Sequence, residues 1–340
     1  MSEDRPSQEL AVSVATPPQS GLQSPFTAGA GRLQVTSPLS APNGARIESR
    51  LTPRLAPRDH EKNGAPTTMA PLRLTALNLY PIKSAAGIST TAWEVDGFGL
   101  KHDRRWMVVD ETGRFLTQRT HPRLALVRPT FQDQQLIVEA PDMPPLDLPI
   151  RPRATVKTEV VVWNDTCDAL WLGRHPGDWF SQVLGCPCSL VYLPDETVRP
   201  ANPAFAPAGV RVSFADAFPF LLISEESLAD LNSRLSTPLP MNRFRPNLVI
   251  AGGEPYVEDS LARFEIDSIS FQVVKPCDRC TIPMTDQTTT LRGPEPLRTL
   301  ATYRKREGEV FFGQNVIHFG TGRLATGAIL RLSQAPLGQD

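Results

Sequence analysis

The sequence predicts a mainly β chain with a few α elements, built as two successive β domains behind a long unstructured tail. Three observations carry that expectation. Short apolar runs recur between residues 72 and 332, parted by Pro, Gly and Asp at the spacing of antiparallel strands. Helical periodicity is confined to two brief stretches. The 34 prolines are unevenly spread, with nine before residue 69 in a segment whose one aromatic is Phe26.

Residues 1–68 are rich in Ser, Thr, Pro, Ala and Gly, cannot bury enough apolar surface to offset the entropy of ordering, and are expected to be a disordered Pro/Ser-rich tail. The acidic Glu3, Asp4 and Glu9 argue against an organelle transit peptide, and Met69 is an alternative start just before the first patterned segment. The alternation of Leu72, Leu74 and Ala76 opens a first domain, residues 71–190. Trp106, Met107, Val108 and Val109, the turn Asp110-Glu111-Thr112-Gly113, and Phe115-Leu116 predict a hairpin. Strands are expected at 124–127, 135–138 and 159–163, spaced as in an antiparallel barrel or sandwich. In a second domain, residues 191–334, Ser224 caps a helix running to 235 with Leu228, Leu231 and Leu235 on one face. Strands are expected there at 248–251, 269–274, 310–312 and 328–332, with a short helix over 296–303 after Gly293-Pro294. No repeat of 20–50 residues is present.

Composition narrows the function classes. Lys and Arg number 35 against 36 Asp and Glu, so the basic excess that signals nucleic-acid binding is absent. No apolar run approaches the roughly 18 residues of a membrane span. Five cysteines, Cys167, Cys186, Cys188, Cys277 and Cys280, form an odd set with no apolar leader before them, which argues for a reducing, cytoplasmic location over a secreted disulfide scaffold.

The densest reactive cluster is Lys275-Pro276-Cys277-Asp278-Arg279-Cys280. A redox dithiol is one reading, but Thr281-Ile282-Pro283 resists the helix that follows such a pair in thioredoxin-type sites. Structural zinc needs four ligands, and neither a second Cys-x-x-Cys nor a spaced His pair completes them. A third reading is one thiolate on a soft, redox-active metal, with Arg279 stabilising it or binding an anionic part of a cofactor. The residues alone do not choose among these, and small core thiols remain the bland alternative, adopted for Cys167, Cys186 and Cys188.

A resemblance does choose. Tyr80-Pro81-Ile82-Lys83-Ser84, Asp103-Arg104-Arg105-Trp106, Thr117-Gln118-Arg119 and Phe214-Ala215-Asp216-Ala217 stand in order, followed by the helix that Ser224 opens, Phe244-Arg245-Pro246-Asn247, Cys277-Asp278-Arg279-Cys280, Glu295-Pro296-Leu297 with Thr299-Leu300 and Tyr303-Arg304, and Phe312-Gly313-Gln314-Asn315. In these motifs, over residues 71–333, the chain resembles proteins with an N-terminal β-barrel domain followed by a molybdenum cofactor sulfurase C-terminal (MOSC) β-barrel domain, in particular the amidoxime-reducing components and bacterial reductases of N-hydroxylated bases.

The resemblance implies a molybdenum cofactor (Mo-molybdopterin) with the metal bonded to Cys280, the second cysteine of the pair, and Cys277 beside it without a fixed role. It implies that Lys83, Arg104, Arg245 and Arg279 meet the cofactor's phosphate and dithiolene charge, with hydrogen bonds from Ser84, the Ala217 backbone and Asn247. Asn315 stands where relatives can carry Tyr, which keeps a hydrogen bond and loses an aromatic wall. Asp216 is a candidate to orient a substrate hydroxylamine or relay a proton. The implied function is reduction of N-hydroxylated or N-oxide small molecules. No cysteine follows Cys280 to hold an iron–sulfur cluster, so electrons are expected from a separate ferredoxin, flavodoxin or cytochrome b5 type protein. The alternative is a non-catalytic cofactor-binding or sulfur-carrier module, with pyridoxal phosphate a conceivable further ligand, although 68 tail residues leave no room for a pyridoxal-phosphate desulfurase domain.

Overall fold

The computed structural model describes residues 71–333; the expected tail and the alternative start at Met69 lie outside the described residues. The architecture is mainly β. Its largest sheet has nine strands, and its path begins with Arg331–Leu332, Arg263–Ile266, Ile269–Asp278 and Glu309–Phe319. It continues through Phe220–Ser224, Leu248–Ala251, Arg73–Leu79 and Ile88–Thr90, with Lys305–Arg306 pairing to the side. The start of the path meets its penultimate strand. Leu74 N donates to Ala328 O at 2.9 Å, Gly327 N to Leu74 O at 2.7 Å and Leu330 N to Leu72 O at 2.9 Å, so the residues leading into Arg331–Leu332 bond the free edge of Arg73–Leu79 and the sheet curls shut.

Alternation fills the interior. Phe220 and Leu222 join Leu74, Leu77, Leu248, Ile250, Phe264 and Phe271 in one buried cluster. Their neighbours Leu221 and Ile223 face the other way, into a second cluster with Leu231, Phe244, Leu300 and Phe312 beneath helix Glu225–Ser233. That helix begins as expected: Ser224 Oγ accepts from Ser227 N at 3.1 Å.

Three smaller sheets complete the fold. Trp106–Val109 pairs with Ser189–Tyr192, which leads through Asp165–Trp171 to Lys157–Val162. Arg128–Gln132, Gln135–Glu139 and Leu146–Pro149 form a meander, and Gly322–Ala325 pairs with Ala92–Asp96, itself paired to Gly99–Leu100.

Several local expectations change. The apolar run at 124–127 is a 3-10 helix, Pro122–Leu126, because Pro122 sets the first turn and Val127 N bonds Leu124 O. In the expected hairpin the turn forms, but Phe115 makes a single bridge to Val109 and the long partner is Ser189–Tyr192. The strand at 269–274 runs on to Asp278, and that at 328–332 shortens to Arg331–Leu332. Helix Arg174–Leu184 was not expected; its Pro176 sits in the first turn, where a proline lacks only a donor the helix does not use. A Cβ on Gly177 would lie 3.1 Å from Cys188 O, tighter than ordinary contact, so the helix approaches the backbone leading into Ser189–Tyr192 closely there. Among the described residues no helix is long and apolar enough to cross a membrane.

Candidate functional site

Phe220–Ser224 and Leu248–Ala251 run parallel, and Arg73–Leu79 runs antiparallel to the latter. The loops before the first two and after the third therefore emerge at one end of the large sheet. They frame a cleft of about 610 Å³ with the end of Ile269–Asp278. Lys83, Ser84, Arg104, Asp216, Ala217, Arg245, Asn247, Arg279, Cys280 and Asn315 all line it, so the structure brings every candidate residue to one place. The lining also holds Arg119, Arg199 and Lys275, making seven cationic side chains against the three carboxylates of Asp165, Asp216 and Asp278, in a chain of net charge −1.

Backbone pairing places the first cations. Arg104 N donates to Tyr80 O at 2.9 Å, Trp106 N to Pro81 O at 3.0 Å and Lys83 N to Trp106 O at 2.8 Å, zipping the 80–83 segment to 104–106. Ser84, Arg104 and Arg245 all adopt left-handed φ angles, 66°, 51° and 59°, a conformation that side-chain-bearing residues rarely take and that surrounding contacts must hold. Tyr80 supplies some of that support. The Arg104 and Arg245 guanidiniums lie over its ring at 4.5 and 4.2 Å, and its hydroxyl donates to Pro246 O at 3.1 Å. Arg104 also pairs with buried Asp103, which accepts from Tyr80 N at 2.6 Å and Asn247 Nδ2 at 3.2 Å. Burial pushes Arg245 down to about 10, a large displacement for a guanidinium, and its Nη1 donates to Ala85 O at 2.6 Å.

Lys83 is buried with its ammonium between Phe214 O at 2.7 Å and Asp216 Oδ1 at 2.5 Å. Burial pushes Lys83 down to about 8 against the pull of the Asp216 carboxylate. Asp216 is half exposed; desolvation would raise it, but the charge and hydrogen bond of Lys83 hold its carboxyl well below the usual range. Trp163 Nε1 donates to the same oxygen at 3.3 Å. Behind this turn Arg199 donates to Ser213 O at 2.8 Å, Ala215 O at 2.7 Å and Asp165 Oδ2 at 2.9 Å, fixing the loop that presents Asp216.

The two thiols differ. The Ile269–Asp278 strand slips register against Glu309–Phe319 between Pro276 and Asp278, a bulge that leaves Cys277 unpaired before Asp278 rejoins the ladder opposite Phe311 and Arg279 N donates to Val310 O at 2.8 Å. Arg279 Nη1 lies 3.2 Å from Cys277 Sγ and its Nη2 donates to Phe244 O at 2.8 Å. Burial pushes the Cys277 thiol up, with Arg279 opposing. Cys280 Sγ instead accepts from Arg119 Nη1 at 3.3 Å, and the Arg119 guanidinium stacks on the Trp163 indole at 4.4 Å. Arg119 Nη2 and Arg279 Nε are buried and without a partner among the described residues. Asn315 Nδ2 reaches Pro276 O at 3.4 Å.

Sequence reasoning missed Arg119, Trp163 and Arg199 as site residues. Arg119 stood in a quoted motif and differs from its neighbours only in what it faces; Trp163 ended a predicted strand; Arg199 lies in a Pro-rich stretch with no pattern to mark it.

Comparison with known proteins adds the family. A model of the MOSC N-terminal beta barrel domain matches residues 71–187, and a model of the MOSC domain matches residues 209–331. The mouse (Mus musculus) mitochondrial amidoxime-reducing component 1 is 36% identical over 237 residues, covering 66% of this chain and 69% of that protein. Its human (Homo sapiens) counterpart is 33% identical over 239 residues, covering 67% and 70%. The molybdenum cofactor sulfurase of rice (Oryza sativa subsp. japonica) is 32% identical over 273 residues, covering 74% of this chain, which spans only 33% of that longer protein. With both domain models matched in order and relatives aligned over most of their own length, the chain belongs to the family of MOSC-domain proteins that carry an N-terminal MOSC β-barrel domain.

Proposed function

We propose that the protein holds a molybdenum cofactor in this cleft and reduces N-hydroxylated or N-oxide small molecules with electrons delivered by a separate protein of ferredoxin, flavodoxin or cytochrome b5 type. The observation that carries the reading is a thiol, Cys280, set among seven cations in a cleft large enough for an anionic cofactor. Two buried guanidinium nitrogens without partners, on Arg119 and Arg279, are donors awaiting acceptors, and phosphate and dithiolene groups provide them. A soft thiolate suits a sulfur-ligated metal, so the donor set fits the group. When bound, the cofactor supplies two-electron redox chemistry at molybdenum, with Cys280 as the protein's ligand.

The chain's own residues divide the remaining work. Lys83, Arg104, Arg245 and Arg279 bind anionic groups, and Ser84, the Ala217 backbone, Asn247 and Asn315 add hydrogen bonds. Arg119 holds the Cys280 sulfur in place. Asp216 is held ionised by Lys83, so it accepts hydrogen bonds and orients a substrate N–OH in preference to supplying a proton.

The likeness to the sulfurases favours a second reading, a cofactor-binding or sulfur-carrier module without catalysis. Benzamidoxime reduction with a chemical electron donor, measured per chain beside the bound molybdenum of the same preparation, separates the two. The proposal expects turnover in the parent, none in Cys280→Ala and a substantial fraction in Cys277→Ala. Bound molybdenum without turnover supports the carrier, and equal loss in both variants points to a dithiol.

A further inference from the structure

Away from the cleft, the end of helix Arg174–Leu184 passes through Gly185 into Cys186, Pro187 and Cys188 and on to strand Ser189–Tyr192. Both thiols are half-buried, and they face different partners. Cys188 Sγ lies 3.5 Å from the Ser181 hydroxyl, and burial pushes its thiol up. Cys186 Sγ lies 3.5 Å from His121 Nε2.

That imidazole has a second side-chain contact. Thr120 Oγ1 lies 2.9 Å from His121 Nδ1 and 3.3 Å from Thr117 O. In the tautomer that carries its proton on Nδ1, that proton is donated to Thr120 Oγ1 and Nε2 presents a lone pair to the Cys186 thiol. His121 is itself anchored, its backbone N donating to Thr117 O at 2.7 Å. A thiol, an imidazole base and a hydroxyl orienting that base form a relay of the kind that activates nucleophiles. Elsewhere burial holds the Cys167 thiol up to about 11, and nothing in the proposed reduction uses Cys186.

We propose that Cys186 is a reactive modification site for low-molecular-weight disulfides of the glutathione class, with His121 as its proton acceptor and Thr120 as the positioning residue. In the step, the Sγ proton passes to His121 Nε2 and the thiolate attacks one sulfur of the disulfide. The Cys186–sulfur bond forms as the reagent's S–S bond breaks. The departing thiolate takes the proton from His121, so one reagent sulfur is reduced to a thiol as Cys186 is oxidised.

The test treats reduced, full-length protein with glutathione disulfide and follows each cysteine by peptide mapping and mass spectrometry. Cys188→Ser and Cys186→Ser proteins are used separately so that no internal disulfide can form between the two. Cys186 is expected to gain the glutathionyl group at least about tenfold faster than Cys188, the low side of what a positioned base contributes. His121→Ala should remove that advantage. Thr120→Val, which keeps the imidazole but not its orientation, should lower it in part. Equal rates at the two cysteines overturn the proposal without recourse to any His121 variant, and an unchanged Cys186 rate in folded His121→Ala protein removes the base.

Discussion

Lys83 shows how one side chain ties stability to the site. Its ammonium is buried and pushed down to about 8, below the usual lysine value of 10.5, while Asp216 stands half in solvent. Below about pH 8 the folded chain carries the buried charge at a cost. From about 8 towards 10.5 the unfolded chain keeps a proton that the folded chain has lost, so this lysine's contribution to stability rises with pH. Asp216→Asn removes the partner while the charge remains buried. The loss should be about 1–2 kcal/mol at neutral pH, between the values for exposed and buried pairs because one member is solvated. Urea unfolding of both proteins measures it, and the difference should narrow as pH rises through about 8, where Lys83 no longer needs a counter-charge. A difference that stays constant to pH 10 assigns the effect to something other than the Lys83 charge.

At the scale of elements, the sequence was most informative where local chemistry and tertiary burial agree. Helix Glu225–Ser233 was legible because Ser224 is a good cap and Leu228 and Leu231 share a face that the large sheet buries; it ends two residues before the expected Leu235, which packs on the same cluster from beyond the helix. Ser224→Ala should cost about 1 kcal/mol in thermal or urea unfolding, the usual value of a lost cap. A loss within error would mean that the buried Glu258 carboxylate, which accepts from Ser224 N at 3.2 Å and Ser227 Oγ at 2.9 Å, holds the helix start without the cap. Helix Arg174–Leu184 was not legible, because Pro176 and Gly177 hid a turn that tertiary packing requires. The run at 124–127 was misread as strand, since three or four apolar residues carry no period of their own. Closure of the nine-stranded sheet through Leu72, Leu74 and the 327–330 segment joins residues some 250 apart, and no local signal announces such a pairing.

At the scale of the whole molecule, the cleft exists because parallel strands put two strand starts and an antiparallel strand end on one rim, and because the bulge at Cys277 and the end of its strand at Asp278 place the cysteine pair beside them. Ten residues chosen from motifs converge there, from positions 83 to 315. Their charges were legible as residue types, but their shared facing was not, and Arg119, Trp163 and Arg199 were visible only once the fold had placed them. The concentration of positive charge in a nearly neutral chain is the feature that makes an anionic cofactor the central claim. Molybdenum per chain, determined by elemental analysis of protein from a host that makes the cofactor, tests it most directly. The account predicts about one molybdenum in the parent, little in Cys280→Ala, and a substoichiometric amount in Arg245→Ala, where one lost charge-assisted hydrogen bond lowers affinity by about 10- to 150-fold. One equivalent of zinc with no molybdenum, or full molybdenum in both variants, would contradict it.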